Sequence, residues 1–209
     1  DMKQTVSCFL LNIALHPGKV PYINHNKYYH PEGSNWLTDE CGYSKPVYGI
    51  YFSEDHQMPG FTQCISVLTY LPYEKVMPWA NSFKTHHEGC REEAYETFKQ
   101  EYAEKIMQEL SPIIPGLKAA VKQINTATPL TYRDYLGSPE GSLYGIQKSI
   151  YTQMQTTLGI RTRIPNLLFS GQAINLHGVL GVAITAVMTA ATWTGLDELT
   201  KKIKSEVGI

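Results

Sequence analysis

The sequence has few charged residues and no excess of either sign of charge. Charged side chains make up 18% of the 209 residues, and the formal net charge is −1 at pH 7. Proteins that bind nucleic acid carry a basic patch or stripe, so this balance argues against a nucleic-acid partner. The low charged fraction also indicates that much of the surface is buried or covered by a partner.

Closely spaced cysteine pairs are also missing. The four cysteines stand at positions 8, 41, 64 and 90, and no C-x-x-C pair occurs. A chain of this length can bury a core without a disulfide framework, so we expect reduced thiols and a cytoplasmic protein. The group His86, His87 and Cys90 has no matching second pair of ligands, so we expect a solvated helix start there and no metal site.

No stretch is apolar for long enough to span a bilayer. The most apolar run covers residues 179–191, about 13 residues against the roughly 20 that a span requires, and we expect a buried helix there. Peripheral contact with a membrane surface remains an alternative. No signal peptide opens the sequence. Asp1 is not a natural initiator, which fits either an excised or truncated part of a longer protein or a tag remnant.

Apolar segments separated by turn signals predict an α/β fold. Strand-forming residues predict an antiparallel or mixed sheet, which is covered by a helix over 91–110. Thr128 and Pro129 are typical of a helix cap and first turn. The strands are expected at 5–15, 20–29, 47–53, 62–70 and 121–126, with a loop at 31–45, a buried strand at 166–170, and helices at 128–136, 179–193 and 196–207.

The segment 166–191 has the pattern of a ligand site. Gly171 lets the backbone approach a ligand, and Gln172 offers both a donor and an acceptor. Gly178 and Gly181 bracket the start of an apolar helix, whose free N–H groups and dipole favour negative charge. On these residues alone, a strand–helix junction whose glycines only permit tight packing remains the alternative.

This segment resembles the end of FAD-dependent oxidoreductases of the phytoene desaturase, carotenoid isomerase and retinol saturase family. Many members have an acidic residue where Gln172 stands, and the glutamine is more similar to the retinol saturase branch. Upstream, the sequence TPLTYRDY at 128–135 and the loop GSLYG at 141–145 also resemble the family. The residues that match the family's terminal segment are Leu167, Leu168, Gly171, Gln172, Gly178 and Gly181.

The resemblance implies a flavin enzyme that oxidises, reduces or isomerises carbon–carbon double bonds of an apolar polyene or isoprenoid. It also implies a substrate-domain-like sheet with its helix in residues 1–127 and the carboxy-terminal part of an FAD-binding domain in residues 128–209. The implied FAD contacts are Gly171, Gln172, His177, Gly178, Val179, Gly181 and Val182, and the implied substrate contacts are Tyr144 and Gly145.

A dinucleotide-binding G-x-G-x-x-G motif is absent from the sequence. In the family this motif lies in an amino-terminal dinucleotide-binding domain, which holds the pyrophosphate and adenosine. We therefore expect that domain as a partner within the same protein, and we do not expect this chain alone to retain FAD.

Two other functions remain open from the sequence. The chain could be a non-catalytic binding module without flavin, or part of another flavin oxidase such as a relative of the amine oxidases. No catalytic acid or base can be named, because no Ser-His-Asp or Cys-His grouping can be assembled. His177 could donate to a flavin oxygen or carry a proton, or it could bond only to backbone.

Overall fold

The computed structural model describes residues 2–30, 46–83, 91–148, 151 and 158–208. The predicted loop at 31–45 and the group of His86, His87 and Cys90 lie outside these described residues.

The chain divides into two compact units. The larger is Val6–Leu143, and the smaller combines Asp1–Thr5 with Tyr144–Ile209. The boundary expected between a substrate domain and a cofactor domain, at residues 127 and 128, stays a prediction, because compactness alone does not assign a segment to a cofactor.

A five-stranded antiparallel sheet forms the larger unit. The strand order is β2-β3-β4-β1-β5, and the α/β class predicted from the sequence is confirmed. The second strand is much shorter than the predicted 20–29, whereas the other strands lie close to their predicted positions. The strands are β1 Cys8–Leu15, β2 Lys27–Tyr29, β3 Tyr48–Glu54, β4 Thr62–Tyr70 and β5 Val121–Ala127.

Alternation along β1 and β4 gives the sheet one strongly apolar face. Leu11 lies opposite Val67, and Ile13 lies opposite Ile65. All four side chains are fully buried. Cross-strand apolar pairs of this kind stabilise a sheet, and a slip of one residue would turn the whole set toward the other face. Burial of this face therefore specifies the register of the pair.

Helix α1, Glu93–Leu110, packs against the apolar face, as predicted. Ile106 and Leu110 are fully buried. Tyr102 is half-buried, and its ring centroid lies 4.7 Å from that of Phe9 on β1. Phe98 is also half-buried and lies against Trp79, with centroids 5.3 Å apart. The predicted helical face is confirmed, with Tyr95 fully buried and with Phe98 and Tyr102 at the edge of the core.

Two shorter helices complete the larger unit, α2 Leu117–Ala120 and α3 Pro129–Leu136. The predicted cap at Thr128 is confirmed, because its hydroxyl accepts from the Leu130 N–H at 3.2 Å. On α3, the buried Asp134 carboxylate pairs with both Arg91 and Arg133. This charge cluster ties α3 to the segment that precedes α1.

The smaller unit contains helices α4, Gly178–Thr194, and α5, Leu196–Val207. Both were predicted at these positions, but the expected burial of α4 is wrong. Val179 is 92% exposed and Leu180 is 75% exposed. Apolar composition predicted burial, but the described residues supply no layer over this face of the helix. None of the helices in the described ranges is long and apolar enough to cross a membrane.

The buried strand predicted at 166–170 is also wrong. Leu168 makes only an isolated antiparallel bridge with Arg161. The neighbouring side chains of Leu167 and Phe169 are 45% and 46% exposed. A strand requires a continuous hydrogen-bonded neighbour, and the described part of the chain provides one only at this single bridge.

Replacing Ile106 with alanine should lower the free energy of unfolding of the larger unit by about 2–5 kcal/mol, because a fully buried side chain leaves a cavity. Lys105→Ala, at an exposed position of the same helix, is the matched control and should change it by less than about 0.5 kcal/mol. Urea denaturation followed by circular dichroism measures both. Equal effects would show that the helix presents a different face to the sheet.

Cys8 is a buried thiol that donates to the Tyr132 hydroxyl at 3.2 Å. Burial raises the pKa of this thiol from 9.0 to about 11, although the hydrogen bond to Tyr132 acts in the opposite direction. Because the thiolate is the reactive form, Cys8 should react with iodoacetamide at least about tenfold more slowly in the folded chain than in urea at the same alkaline pH. Peptide mass spectrometry gives the two rates, and equal rates would contradict the buried position.

Candidate functional site

Two distant segments of the smaller unit pair through backbone hydrogen bonds around an isolated antiparallel bridge between Gln4 and Ile146. The Thr5 N–H donates to the Gly145 carbonyl at 2.8 Å, and the Gln147 N–H donates to the Lys3 carbonyl at 2.8 Å. The Tyr144 N–H donates to the Thr5 side-chain oxygen at 3.0 Å. These bonds place the backbone of the predicted substrate residues Tyr144 and Gly145.

The paired segment lies against the turn that precedes α4. A Cβ added at Gly145 would stand 2.9 Å from the Ala173 Cβ, so only glycine allows this approach. The Tyr144 ring and the His177 imidazole are 4.4 Å apart between centroids. The structure therefore brings together two segments that the sequence predicted separately, the GSLYG loop and the segment 171–181. We call the surface formed by 144–145 and 171–181 the glycine wall.

Lys148 joins the same two segments through its side chain. Its Nζ donates to the carbonyl of Ala173 at 3.1 Å and to the carbonyl of Ile174 at 3.3 Å. The Ile174 side chain is 6% exposed, and its N–H donates to the Gly171 carbonyl at 3.3 Å. The turn is thus held by hydrogen bonds to its backbone and by the burial of the Ile174 side chain.

The start of α4 forms one end of the glycine wall. His177 is the N-cap residue, and its side chain makes no capping hydrogen bond. The first N–H groups of a helix have no intrahelical acceptor, and together with the helix dipole they favour a negatively charged or electron-rich neighbour. The predicted helix start at Gly178 is confirmed, because α4 begins at that residue.

Gly181 has the tight-packing role that the sequence analysis left open as the alternative for these glycines. The residue is buried, and an added Cβ would lie 2.6 Å from the Leu176 backbone carbon. Its carbonyl accepts from the Thr185 hydroxyl at 2.9 Å. A side chain here would therefore displace the turn before α4, so the space at Gly181 is filled by the chain itself.

Two other glycines of the wall are open. Gly171 has φ +103°, which favours glycine, and an added Cβ would meet no atom within 4 Å in the described part of the chain. The same open space is found at Gly178. Val179 and Val182 are exposed, and Gln172 is half-buried beside Gly171. A planar group could reach the backbone here, so these residues fit the flavin that the resemblance implies.

Two residues that support the glycine wall carry no sequence signal for their role. Thr5 lies 139 residues from the Tyr144 that it supports. Lys148 donates to backbone carbonyls of the turn, and every residue type has such a carbonyl. In the ranges that the structure describes, no group of three or more His, Cys, Asp or Glu residues could hold a metal ion.

Comparison with known proteins gives one consistent group of relatives. The chain is 26% identical over 137 residues to the all-trans-retinol 13,14-reductases of Homo sapiens and Macaca fascicularis. It is 26% identical over 131 residues to the all-trans-retinol 13,14-reductase of Danio rerio. The chain is homologous to the retinol saturases. No protein-family model matches it.

Homology to the retinol saturases confirms the family resemblance for that branch. By name these relatives are oxidoreductases, so the chain is related to enzymes. The matched region covers 61% of this chain and 22% of the human protein. The chain therefore spans only about a fifth of the length of the curated relatives it matches.

Replacing Thr5 with valine should speed hydrogen exchange of the Tyr144 amide by roughly tenfold, because the shape is kept but the acceptor is lost. Thr5→Ser keeps the hydroxyl and should leave the exchange rate close to that of the native chain. Amide exchange followed by nuclear magnetic resonance gives both rates. Fast exchange in the native chain would show that the pairing does not hold the loop.

Proposed function

We propose that this chain is part of an FAD-dependent oxidoreductase that acts on carbon–carbon double bonds of an apolar polyene or isoprenoid, and that reduction is the direction its relatives favour. The observation that carries the proposal is the glycine wall, in which the Tyr144–Gly145 loop meets the turn and the uncapped start of α4. Homology to reductases of a polyene alcohol supports the same function.

The glycine wall would hold the part of FAD distant from its pyrophosphate. Gln172 can bond a hydroxyl as donor or acceptor. The open backbone at Gly171 and Gly178 leaves room for a close approach. The first N–H groups of α4 suit an electron-rich ring edge. When bound, the flavin supplies the hydride chemistry, and the protein supplies position and electrostatics.

His177 is the wall residue best suited to hold a proton. Reduction of a double bond adds a proton as well as a hydride, and an imidazole ring can donate or accept a proton. The His177 side chain is exposed at the helix start and lies against the Tyr144 ring. We propose that this ring contact orients the imidazole toward the bound groups, with Tyr144 and Gly145 on the substrate side.

The exposed face of α4 is proposed to contact another part of the same protein. Val179, Leu180 and Trp193 are 92%, 75% and 69% exposed. Apolar patches on a surface mark interaction sites, and an amino-terminal dinucleotide-binding domain is the partner that the resemblance implies. We propose peripheral contact with a membrane as the alternative partner of this face. The proposed location of the protein is cytoplasmic.

Replacing Gly181 with valine in the complete natural protein should weaken flavin binding by about tenfold or more, because the side chain collides with the Leu176 backbone and displaces the glycine wall. Turnover of all-trans-retinol under reducing conditions should fall with it. Flavin content per chain, retinol consumption and a thermal melt measure the three properties. The fold of the larger unit should survive, so its melt should change little.

Gly159→Val is the matched control, because an added Cβ there is 3.8 Å from its nearest neighbour among the described residues, the Arg161 carbonyl oxygen. It should keep both flavin and turnover. If the Gly181 variant keeps its full flavin content and full turnover, the glycine wall is not part of the flavin site. Absence of any flavin in the native protein would instead favour the non-catalytic module.

A further inference from the structure

Lys148 lies beside the glycine wall and donates to its turn, and the family resemblance implies no role for it. It lies three residues beyond Gly145, directly after backbone that is hydrogen-bonded to residues 3–5. The backbone next to Lys148 is therefore held by its hydrogen bonds to residues 3–5, while the Lys148 Nζ reaches the turn before α4. The lysine therefore joins the paired segment to the turn that precedes α4.

The acceptors of Lys148 are two successive carbonyls of that turn. The distances from Nζ are 3.1 Å to Ala173 and 3.3 Å to Ile174. An ammonium group has three donors, and hydrogen bonds from a charged donor are stronger than those between neutral groups. Two bonds from one group to adjacent carbonyls restrain the rotation of the peptide between them.

The restrained peptide lies between Gly171 and the start of α4. Gly171 has φ +103°, a conformation that favours glycine, and an added Cβ there would meet no described atom within 4 Å. His177, the N-cap residue of α4, makes no side-chain cap. Lys148 bonds the middle of the turn, where the Ile174 side chain is buried.

We propose that Lys148 is a positioning residue, which ties the turn at Ala173 and Ile174 to the Tyr144–Gly145 loop and so sets the place of the α4 start. It acts through the turn and adds a positive charge to the glycine wall. The consequence for flavin rests on the proposed function, whereas the restraint on the turn does not.

The test compares Lys148→Met, which keeps the length but loses donors and charge, with Lys148→Arg, which keeps both. Hydrogen–deuterium exchange of the peptide 171–177 is measured in the complete protein without added flavin. The methionine variant should exchange at least about tenfold faster there, and arginine should restore slow exchange. Lys201→Met, at an exposed lysine of α5, is the control and should leave this peptide unchanged.

Unchanged exchange in the methionine variant would overturn the proposal. Equally fast exchange in the methionine and arginine variants would also overturn it, because it would assign the effect to side-chain shape and not to the charged donors. With flavin added, the methionine variant should bind it more weakly and show a more negative reduction potential, with both restored by arginine. Faster exchange with unaltered flavin binding would support Lys148 as a restraint and count against the wall as the flavin site.

Discussion

Backbone pairing of one extended segment, residues 2–15, is the interaction on which the rest of the structure depends. From Cys8 to Leu15 the segment is β1, which bonds to β4 on one side and to β5 on the other. From Lys3 to Thr5 it pairs with the backbone of 144–147. The first pairing directs the apolar side chains of the sheet toward α1, and the second sets the backbone of the candidate site.

The glycine wall uses glycine for two opposite physical reasons. At Gly145 and Gly181 the absent Cβ lets other parts of the chain come close, Ala173 in one case and Leu176 in the other. At Gly171 and Gly178 the space around the Cα is empty of the described residues. The first pair makes the turn compact, and the second leaves backbone open to a ligand. A rigid surface with open backbone is what close binding of a planar cofactor requires.

Helix α4 combines an apolar sequence with an exposed surface. Its exposed residues include Val179, Leu180 and Trp193, which would each be more stable out of water. A patch of this kind is unusual for a surface that stays uncovered. The matched relatives are much longer than this chain, with 22% of the human protein covered. Both facts fit the proposal that further sequence of the same protein packs on α4.

The sequence by itself determined the elements whose signals are local. A run of strand-forming residues after a turn signal identified β4, spacing of three and four identified α1, and the Thr128–Pro129 pair identified the start of α3, because neighbouring residues decide these structures. It also located the glycines of the candidate site and the family they resemble. Only the tertiary structure decided that Thr5 supports Tyr144, that Lys148 bonds the turn, and that Gly181 packs on Leu176. These contacts join distant residues or involve backbone atoms, which have no sequence pattern. Exposure of α4 was likewise a tertiary result, because apolar residues indicate a tendency to be buried but not what is present to bury them.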